Sequence, residues 1–318
     1  MKKLNTIFMG NPEFCIKALK ELHDNEQINL SLICGGLDKK IGRGQKVSSP
    51  ASIEFAKENN IPFIQCENIN KSDEFFTKTS ELEVDLIVVF AFSHFLGKRI
   101  LELPKIGCFN IHTSLLPKYR GSSPIHYALL NGDSETGISI QKMVKKMDAG
   151  DILVSHKIAI DENDDFFNLC NKFHDNLSMV IKKFVEAVSR DKISFFPQDE
   201  ALVTFAPLIT KKDGLISTGT DSYFSINNKV RALKAWPGVY CYLNKNRYKI
   251  HEVELSKKNI ECGKVSFDNN NIYIGLKSET IAITQIQPPG KKAMKTSDFL
   301  NGFSKDLSLT LTEDDTQD

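Results

Sequence analysis

The sequence lacks the features that mark membrane-spanning, secreted or disordered proteins. Its longest uninterrupted apolar run covers residues 86–92, far short of the ~20 residues that a membrane helix needs. Residues 1–3 resemble the start of a signal peptide, but Gly-Asn-Pro at 10–12 breaks the apolar stretch that follows, so no signal peptide is predicted. A charged fraction of 25% beside 21 phenylalanines excludes a disordered chain. We expect a folded, cytoplasmic protein of about two domains with no membrane partner.

The sequence also lacks the cysteine and glycine patterns of metal and dinucleotide sites. Its seven cysteines are odd in number and scattered, without a C-x-x-C pair or a His at zinc-ligand spacing. This predicts reduced core thiols, no disulfides and no metal. Gly10 follows a predicted strand but does not begin a G-x-G-x-x-G, so a dinucleotide cofactor is not indicated.

An excess of one charge is absent from the whole chain but present in its second part. The total is 41 Lys and Arg against 40 Asp and Glu. Residues 207–312 hold 16 basic and 9 acidic side chains, whereas residues 1–206 hold 25 and 27. Because a basic domain attracts polyanions, the second part is a candidate nucleic-acid-binding region.

Strands alternate with helices in the first part, which indicates an α/β domain with a Rossmann-like, doubly wound, mostly parallel sheet. The run at 86–92 has no polar alternation, as expected of a central parallel strand covered on both faces. The remaining strands are predicted at 4–9, 30–34, 62–64, 106–111, 138–144 and 152–160. A polar loop is expected at 35–49, and a helix over 166–190 closes a first domain of residues 1–190.

The pattern lapses over 191–206, which we interpret as a linker. After a helix at 223–235, five short strands follow between 238 and 286, a spacing typical of a small OB-like β-barrel. We predict a domain at 207–312 and a solvated acidic tail at 313–318. Trp236, at the helix-to-strand junction, is expected in the core.

The densest group of polar side chains lies at 109–121, after a predicted parallel strand. Asn110 and His112 are two residues apart, so their side chains leave the strand on the same face. The carboxyl ends of strands in open α/β sheets bind ligands, and this pair offers a neutral donor beside a group that titrates near pH 7. A structural interpretation, an Asn that caps a turn and a satisfied interior His, stays open on spacing alone.

The string that begins at Asn110, N-I-H-x-S-L-L-P-x-Y-R-G-x-x-P-I, resembles the signature of the folate-dependent formyltransferases. Further similarities follow in the same order over nearly the whole chain, at residues 10–14, 42–44 with 49–50, 147–152 and 288–294. The Gly-Arg-Gly at 42–44 and the P-P-G-K-K-A-M at 288–294 resemble the members that act on methionyl-tRNA in particular.

The resemblance implies transfer of the formyl group of 10-formyltetrahydrofolate to the amino group of initiator methionyl-tRNA, by a monomer without a metal. Asn110, His112 and Asp148 fall on the catalytic trio of the family. Asn110 would donate to the formyl oxygen, His112 would assist or move protons, and Asp148 would hold the imidazole or a water. For Asp148 alone, a turn carboxylate is the alternative.

The resemblance also places folate contacts on two segments. The first contains Ser114, Leu115, Leu116 and Pro117, and the second, with Phe92 and Leu96, should supply backbone contacts to the pterin. The second segment departs from the family pattern, which has Gly where Ser93 stands and Pro where Gly97 stands.

Basic residues in two places are candidate tRNA contacts, namely Lys39, Arg43 and Lys46 in the first part and Lys291 and Lys292 in the second. Each has a plain alternative as part of a flexible loop or as an ordinary surface lysine. Leu37-Asp38-Lys39 replaces the Pro-Asp-Arg of the family, which predicts a less rigid loop. A sibling enzyme that formylates glycinamide ribonucleotide or an amino sugar nucleotide, and a binding module without activity, remain the rival functions.

Overall fold

The computed structural model describes residues 3–41, 45–190, 192–302 and 310–312, which form two compact units. The first contains the described residues of Met1–Pro124, Glu135–Ala159 and Asn171–Ala206. The second contains Ile125–Ser134, Ile160–Cys170 and the described residues from Pro207 onward. The predicted domain limits at 190, 207 and 312 stay predictions, and the predicted tail at 313–318 lies outside the described residues.

A seven-stranded sheet organises the first unit, in the order β5-β2-β1-β6-β7-β8-β9. Its strands are β1 (Leu4–Met9), β2 (Ile28–Gly35), β5 (Phe63–Gln65), β6 (Leu86–Val89), β7 (Gly107–His112), β8 (Glu135–Lys142) and β9 (Ile152–Ala159). The pairs from β5 to β7 are parallel, and β7-β8 and β8-β9 are antiparallel. The predicted Rossmann-like, mostly parallel sheet is confirmed.

Helices α1 to α5 occupy connections between these strands, and α6 follows β9. They are α1 (Ile16–His23), α2 (Ala51–Glu58), α3 (Asp73–Ser80), α4 (Lys98–Leu101), α5 (Pro124–Leu130) and α6 (Phe166–Val188). The sequence explains α3 well, because Ser72 accepts a hydrogen bond from Phe75 N as its N-cap and Asp73 and Glu74 fill the first turn.

The buried strand β6 and its neighbour β7 end at the same edge of the sheet. All four residues of β6 are buried, as expected for a parallel strand covered on both faces. In the parallel register Val89 of β6 lies beside Asn110 of β7, so the two strands end next to each other. The segments that follow them, 90–97 and 113–121, therefore begin at one edge of the sheet.

A β-hairpin replaces part of the polar loop predicted at 35–49. Strands β3 (Lys39–Ile41) and β4 (Lys46–Ser48) pair antiparallel, with Lys39 opposite Ser48. The loop prediction is wrong for these residues, because each strand contains a β-branched residue, Ile41 or Val47, which favours an extended backbone. Residues 42–44 lie outside the described part of the chain.

The second unit is built on an antiparallel sheet that curls into a half-barrel, in the order β10-β11-β14-β13-β12 with β15 beside β14. Its elements are α7 (Tyr223–Ala232), β10 (Val239–Leu243), β11 (Asn246–Ser256), β12 (Val265–Phe267), β13 (Ile272–Gly275), β14 (Thr280–Gln287), β15 (Met294–Lys295) and α8 (Thr296–Asn301). Alternate residues such as Ile250, Ile272 and Ile283 form its core. The predicted OB-like architecture is confirmed.

Trp236 departs from its prediction. Its side chain is 50% exposed, so the expected core position is wrong. The residue belongs to the turn that joins α7 to β10, and turns run over the surface of a domain.

The seven cysteines are free thiols, and most of them are buried. Burial raises the pKa of Cys15, Cys108 and Cys241 to about 12, so these thiols stay protonated at neutral pH. Within the described residues, none of the helices combines the length and the apolar character that a membrane crossing requires.

Candidate active site

Strand β7 carries the first two residues of the site at its carboxyl end. Asn110 lies opposite Gln141 of the antiparallel strand β8, and His112 lies opposite Ser139. Because side chains alternate along a strand, Asn110, His112 and Gln141 project from the same face of the sheet. The common face predicted for Asn110 and His112 thus follows from the observed register.

His112 is buried, with 5% of its surface exposed, and both ring nitrogens face oxygen atoms. Nε2 lies 2.8 Å from the backbone oxygen of Tyr119, and Nδ1 lies 3.8 Å from Oδ2 of Asp148. A backbone carbonyl can only accept a hydrogen bond, so the Nε2 position carries a hydrogen. In the neutral ring the lone pair therefore lies on Nδ1, toward the carboxylate side.

Asp148 lies in the turn between β8 and β9 with a backbone φ of +50°, a conformation that Asp tolerates better than most residues. Its Oδ1 accepts hydrogen bonds from Gln141 Nε2 at 2.8 Å and from Asn110 Nδ2 at 3.3 Å. Its Oδ2 accepts a hydrogen bond from the Gly121 N–H at 2.9 Å. The carboxylate thus joins three separate chain segments at one point.

Two glutamines hold the turn around Asp148. Gln141, which is 1% exposed, also accepts a hydrogen bond from the Gly150 N–H at 3.1 Å. Gln198 donates from Nε2 to the backbone oxygen of Asp148 at 2.9 Å and to that of Gly150 at 2.7 Å. The backbone on both sides of the carboxylate is therefore fixed by buried or partly buried carboxamides.

Gln198 is in turn held by Arg120, which is 2% exposed. The Oε1 atom of Gln198 accepts hydrogen bonds from Arg120 Nε at 3.1 Å and Nη2 at 2.8 Å. Arg120 also pairs with Glu200 at 2.7 Å, and Glu200 pairs with Lys146 at 2.8 Å. Hydrogen bonds from Arg120 and then Lys146 lower the pKa of Glu200 to about 2.

The segment interpreted as a linker runs along these loops in the first unit. The N–H of Tyr119 donates to Thr204 Oγ1 at 2.9 Å, and the N–H of Arg120 donates to the Thr204 oxygen at 2.9 Å. Gly121 has a φ of +127°, and a Cβ there would lie 2.5 Å from the Ala206 oxygen. Only glycine permits this close approach, which brings the Gly121 N–H to Asp148.

The predicted folate string at 114–117 makes mainly internal contacts. Ser114 is fully buried and its hydroxyl donates to the Lys118 oxygen at 2.7 Å. Ser139 of β8 donates to the Ser114 oxygen at 2.7 Å and accepts from the Leu116 N–H at 3.1 Å. These bonds fix the turn, and a folate contact from this string stays a prediction for its backbone and for Leu115 and Pro117, which are partly exposed.

The predicted pterin segment begins where β6 ends. Residue Ala91 has a φ of +52°, and β6 ends at Val89, three residues before the end of the predicted strand at 92. Phe92 is partly buried and its ring lies edge-on to that of His94, with 4.8 Å between centroids. Leu96 is 1% exposed and belongs to the hydrophobic core, so only its backbone can face a ligand.

The candidate tRNA contacts are spread over both units. Lys39 is exposed on β3, and Lys291 and Lys292 are exposed in the turn between β14 and β15. Lys46 belongs to β4, but its side chain lies outside the described part of the chain, as does the whole of Arg43. Their role in RNA binding stays a prediction.

Sequence reasoning missed three residues that the structure places at the site, namely Gln141, Gln198 and Arg120. Only Arg120 carried a local signal, because it lies in the quoted string after Asn110. In the chain segments that the structure describes, no group of three or more His, Cys, Asp or Glu side chains could hold a metal ion.

Comparisons with known families and curated proteins agree over nearly the whole chain. Residues 2–185 match the family described as formyl transferase, and residues 208–304 match the formyl transferase C-terminal domain. A methionyl-tRNA formyltransferase of Caldicellulosiruptor saccharolyticus is 35% identical over 94% of this chain and 97% of that protein. One from Mesoplasma florum is 36% identical over 96% and 97%.

Solved structures show the same fold at lower identity. The N-formyltransferase of Helicobacter canadensis, bound to folinic acid and dTDP-3-aminofucose, has a TM-score of 0.64 at 19% identity, covering 88% of this chain and 98% of that one. A phosphoribosylglycinamide formyltransferase of Bacillus halodurans has a TM-score of 0.51 at 18% identity, covering 59% and 97%. From these matches and from the full-length curated relatives, the chain belongs to the formyl transferase family, among the methionyl-tRNA formyltransferases.

Proposed function

We propose that this chain transfers the formyl group of 10-formyltetrahydrofolate to the amino group of initiator methionyl-tRNA, which yields N-formylmethionyl-tRNA. The observation that carries the proposal is the convergence of Asn110, His112 and Asp148 at one sheet edge, within 3.8 Å of one another through Asp148. The full-length relatives named methionyl-tRNA formyltransferase support the choice of acceptor.

The reaction exchanges one C–N bond for another. The neutral amine of the methionyl group attacks the formyl carbon, and negative charge develops on the formyl oxygen. The bond between this carbon and N10 of the folate then breaks. The proton lost by the amine replaces the formyl group on N10, so the reaction balances without an oxidant or a reductant.

Asn110 can stabilise the charge on the formyl oxygen. Its carboxamide carries two N–H hydrogens, and one of them faces Asp148 Oδ1. The second can donate to the oxygen of the formyl group. A preorganised donor of this kind is typically worth about 3 kcal/mol of transition-state stabilisation.

His112 can take the proton of the attacking amine. The Tyr119 carbonyl holds the hydrogen on Nε2, so Nδ1 of the neutral ring is the basic position. Protonation of Nδ1 would create an imidazolium 3.8 Å from the Asp148 carboxylate, which stabilises it by charge attraction. Asp148 thus serves as the partner of the ring and as an acceptor for Asn110.

The segment 91–97 fits the pterin ring of the folate. The Nδ1 atom of His94 is buried and has no hydrogen-bond partner within the described residues. The pterin carries several donors and acceptors that need such partners, and unpaired polar groups beside a ligand edge can provide them. Folate contacts by Ser114, Leu115, Leu116, Pro117, Phe92 and Leu96 belong to this proposal, for Ser114 and Leu96 through the backbone.

The acceptor tRNA is proposed to contact both units through basic side chains. The net charge of +7 over residues 207–312, with exposed Lys291 and Lys292, supports attraction of a phosphate backbone. Lys39, Lys46 and Arg43, on or between β3 and β4, are proposed to follow the acceptor end. We also propose a cytoplasmic location and a monomer, with domains at 1–190 and 207–312 joined by residues 191–206.

A competition between acceptors tests the proposal. With 10-formyltetrahydrofolate as donor, initiator methionyl-tRNA should give a far higher kcat/KM than glycinamide ribonucleotide or a dTDP-amino sugar. The donor alone, without acceptor, measures background hydrolysis. A preference for either small amine would assign the chain to a different acceptor, and no transfer to any of them would remove the enzymatic assignment.

A further inference from the structure

The segment between β6 and α4 is held by few hydrogen bonds. Within the residues that the structure describes, the backbone N–H and C=O groups of residues 91–94 and 96 make no hydrogen bonds. Gly97, the N-cap of α4, accepts hydrogen bonds at its backbone oxygen from the N–H groups of Ile100 and Leu101. The remaining bonds to the segment, at Phe95 and Gly97, come from a single side chain, that of Asn70.

The side chain of Asn70 forms two hydrogen bonds to this segment, and we call this pair of bonds the clamp. Its Nδ2 donates to the Phe95 oxygen at 2.7 Å, and its Oδ1 accepts from the Gly97 N–H at 2.6 Å. One carboxamide thus satisfies an acceptor and a donor two residues apart. Such a pair of bonds restricts both translation and rotation of the short backbone stretch between them.

The turn that carries Asn70 is anchored in the hydrophobic core. Asn68 caps the short helical turn at Ile69–Lys71 and accepts a hydrogen bond from Asn70 N at 3.0 Å. Ile69, between the two asparagines, is completely buried. On the opposite side, Leu96 is 1% exposed within the same hydrophobic cluster. The side chain of Asn70 therefore connects a fixed turn to the backbone around Leu96.

Gly97 is matched to this clamp. A Cβ at Gly97 would lie 2.8 Å from Asn70 Oδ1, closer than side chains are found, and the Gly97 N–H is needed for the bond. Yet the φ of Gly97 is −72°, a value that proline adopts without strain. A proline at 97 would restrict the backbone by itself, and it is incompatible with Asn70 by both sterics and the missing N–H.

We infer that Asn70 is a positioning residue for folate: it fixes the backbone of 91–97 in the shape that receives the pterin, a task that a proline at position 97 could perform instead. The inference rests on the proposed function, because it takes 91–97 as the pterin segment. It identifies a residue outside the recognised string, on a different chain segment, as a determinant of donor affinity.

The test compares Asn70→Ala, Gly97→Pro and the double variant in the full-length protein, with 5-formyltetrahydrofolate as a stable probe of the donor site. Asn70→Ala should raise the dissociation constant about tenfold, because two hydrogen bonds are lost. Gly97→Pro alone should weaken binding as well. The double variant should bind within about threefold of the wild type, because the clash is removed and the proline restricts the segment.

The separate effects on kcat and on folate affinity distinguish a positioning role for Asn70 from a general disturbance of the structure. At saturating donor, Asn70→Ala should keep kcat within about twofold of the wild type. Asn70→Asp, which retains the acceptor for Gly97 but loses the donor to Phe95, should show an intermediate dissociation constant. Asn59→Ala, which removes a carboxamide that bonds to Phe55 O on α2, should leave folate affinity unchanged.

Hydrogen exchange provides a readout that does not depend on folate. In Asn70→Ala the amide of Gly97, which loses its hydrogen bond to Asn70 Oδ1, should exchange faster, while the amides of β2 keep the wild-type rate. Unchanged folate affinity and exchange in Asn70→Ala would overturn the inference, as would a double variant that binds no better than the weaker single variant. A wild-type protein that does not bind the probe would contradict the proposed function instead, and the exchange rates would still decide whether the clamp exists.

Discussion

The contact between His112 and the Tyr119 carbonyl decides which nitrogen of the ring can exchange a proton. Because Nε2 donates at 2.8 Å to an atom that cannot release a proton, the chemistry is directed to Nδ1. Tyr119 itself has a φ of +62°, and its N–H is fixed by Thr204 Oγ1 at 2.9 Å. The orientation of the imidazole therefore depends on backbone geometry that a sequence motif does not reveal.

Removal of either β7 side chain should abolish most of the activity. Asn110→Ala should lower kcat roughly 100- to 1000-fold, because a preorganised donor to the formyl oxygen is lost. His112→Ala should lower kcat about 100-fold or more, because the base is lost. Folate affinity should change little in either variant. Stopped-flow formylation rates and probe titration measure both effects.

His174→Ala is the matched control for these variants, because that imidazole on α6 is 52% exposed. It should behave as the wild type does. Rates near the wild-type value in both Asn110→Ala and His112→Ala would contradict the assignment of the site.

A histidine in the second unit should make stability depend on pH. His126 stacks on Phe166 with 4.4 Å between ring centroids, and burial lowers its pKa from 6.5 to about 4. The unfolded chain therefore binds a proton more readily than the folded one between these values. The stability is fully present above about pH 6.5 and is lost as pH falls toward 4.

The variant His126→Phe should remove this part of the pH dependence while retaining the stacked ring. Between pH 7 and pH 4.5, the loss in free energy of unfolding should be roughly 1–2 kcal/mol smaller than in the wild type, after allowance for partial exposure. Urea unfolding at the two pH values measures it. Equal losses in both proteins would show that His126 is not the group concerned.

At the scale of elements, the active site depends on a segment that has no regular secondary structure over most of its length. Residues 196–206 pair with the β7 loop and contribute Gln198 to the turn around Asp148. A stretch that the sequence marks only by lapsed periodicity and a proline thus holds the turn around Asp148 in place. The bonds from Gln198 to the turn are to the backbone oxygens of Asp148 and Gly150, and contacts to backbone leave no trace in the pattern of residue types.

Gln198→Leu should therefore impair catalysis more than binding. The change removes the donors to Asp148 O and Gly150 O and the acceptor for Arg120, at similar side-chain size. We expect kcat to fall about 10- to 100-fold, because small displacements of reacting groups have effects of this size. The KM for the donor should stay within about threefold of the wild-type value, as measured by steady-state formylation.

Gln27→Leu is a suitable control for Gln198→Leu, since Gln27 is exposed and bonds to Ser189 at the surface. It should leave kcat unchanged. A Gln198→Leu enzyme that turns over normally would show that the second glutamine is dispensable for the position of Asp148.

The elements themselves were largely predictable, and their ends were not. The apolar run at 86–92 predicts the central strand correctly, but β6 stops at Val89 because Ala91 takes a φ of +52°. The spacing of apolar residues does not reveal where a residue takes a left-handed backbone conformation. Asn110 and His112 were found from their spacing and the quoted string, whereas Gln198 is 50 residues from Asp148 and was invisible to any local pattern.

At the scale of the whole molecule, charge is divided unequally between the two parts of the chain. The net value of +1 conceals a first part that is slightly acidic and a stretch at 207–312 with a net charge of +7. The candidate active site is built from carboxamides, one imidazole and one carboxylate, whereas a tRNA acceptor carries a phosphate backbone that basic side chains attract at long range. A near-zero total is therefore compatible with a nucleic-acid substrate.

The most direct measurement of the central claim is formyl transfer to charged initiator tRNA and charged elongator tRNA, both carrying methionine. With 10-formyltetrahydrofolate and the wild-type protein, the account predicts rapid appearance of formylmethionine on initiator tRNA. It also predicts that the Asn110→Ala protein gives almost none under the same conditions. Absence of formylmethionine on initiator tRNA at any wild-type concentration, or equal transfer by Asn110→Ala, would contradict the account.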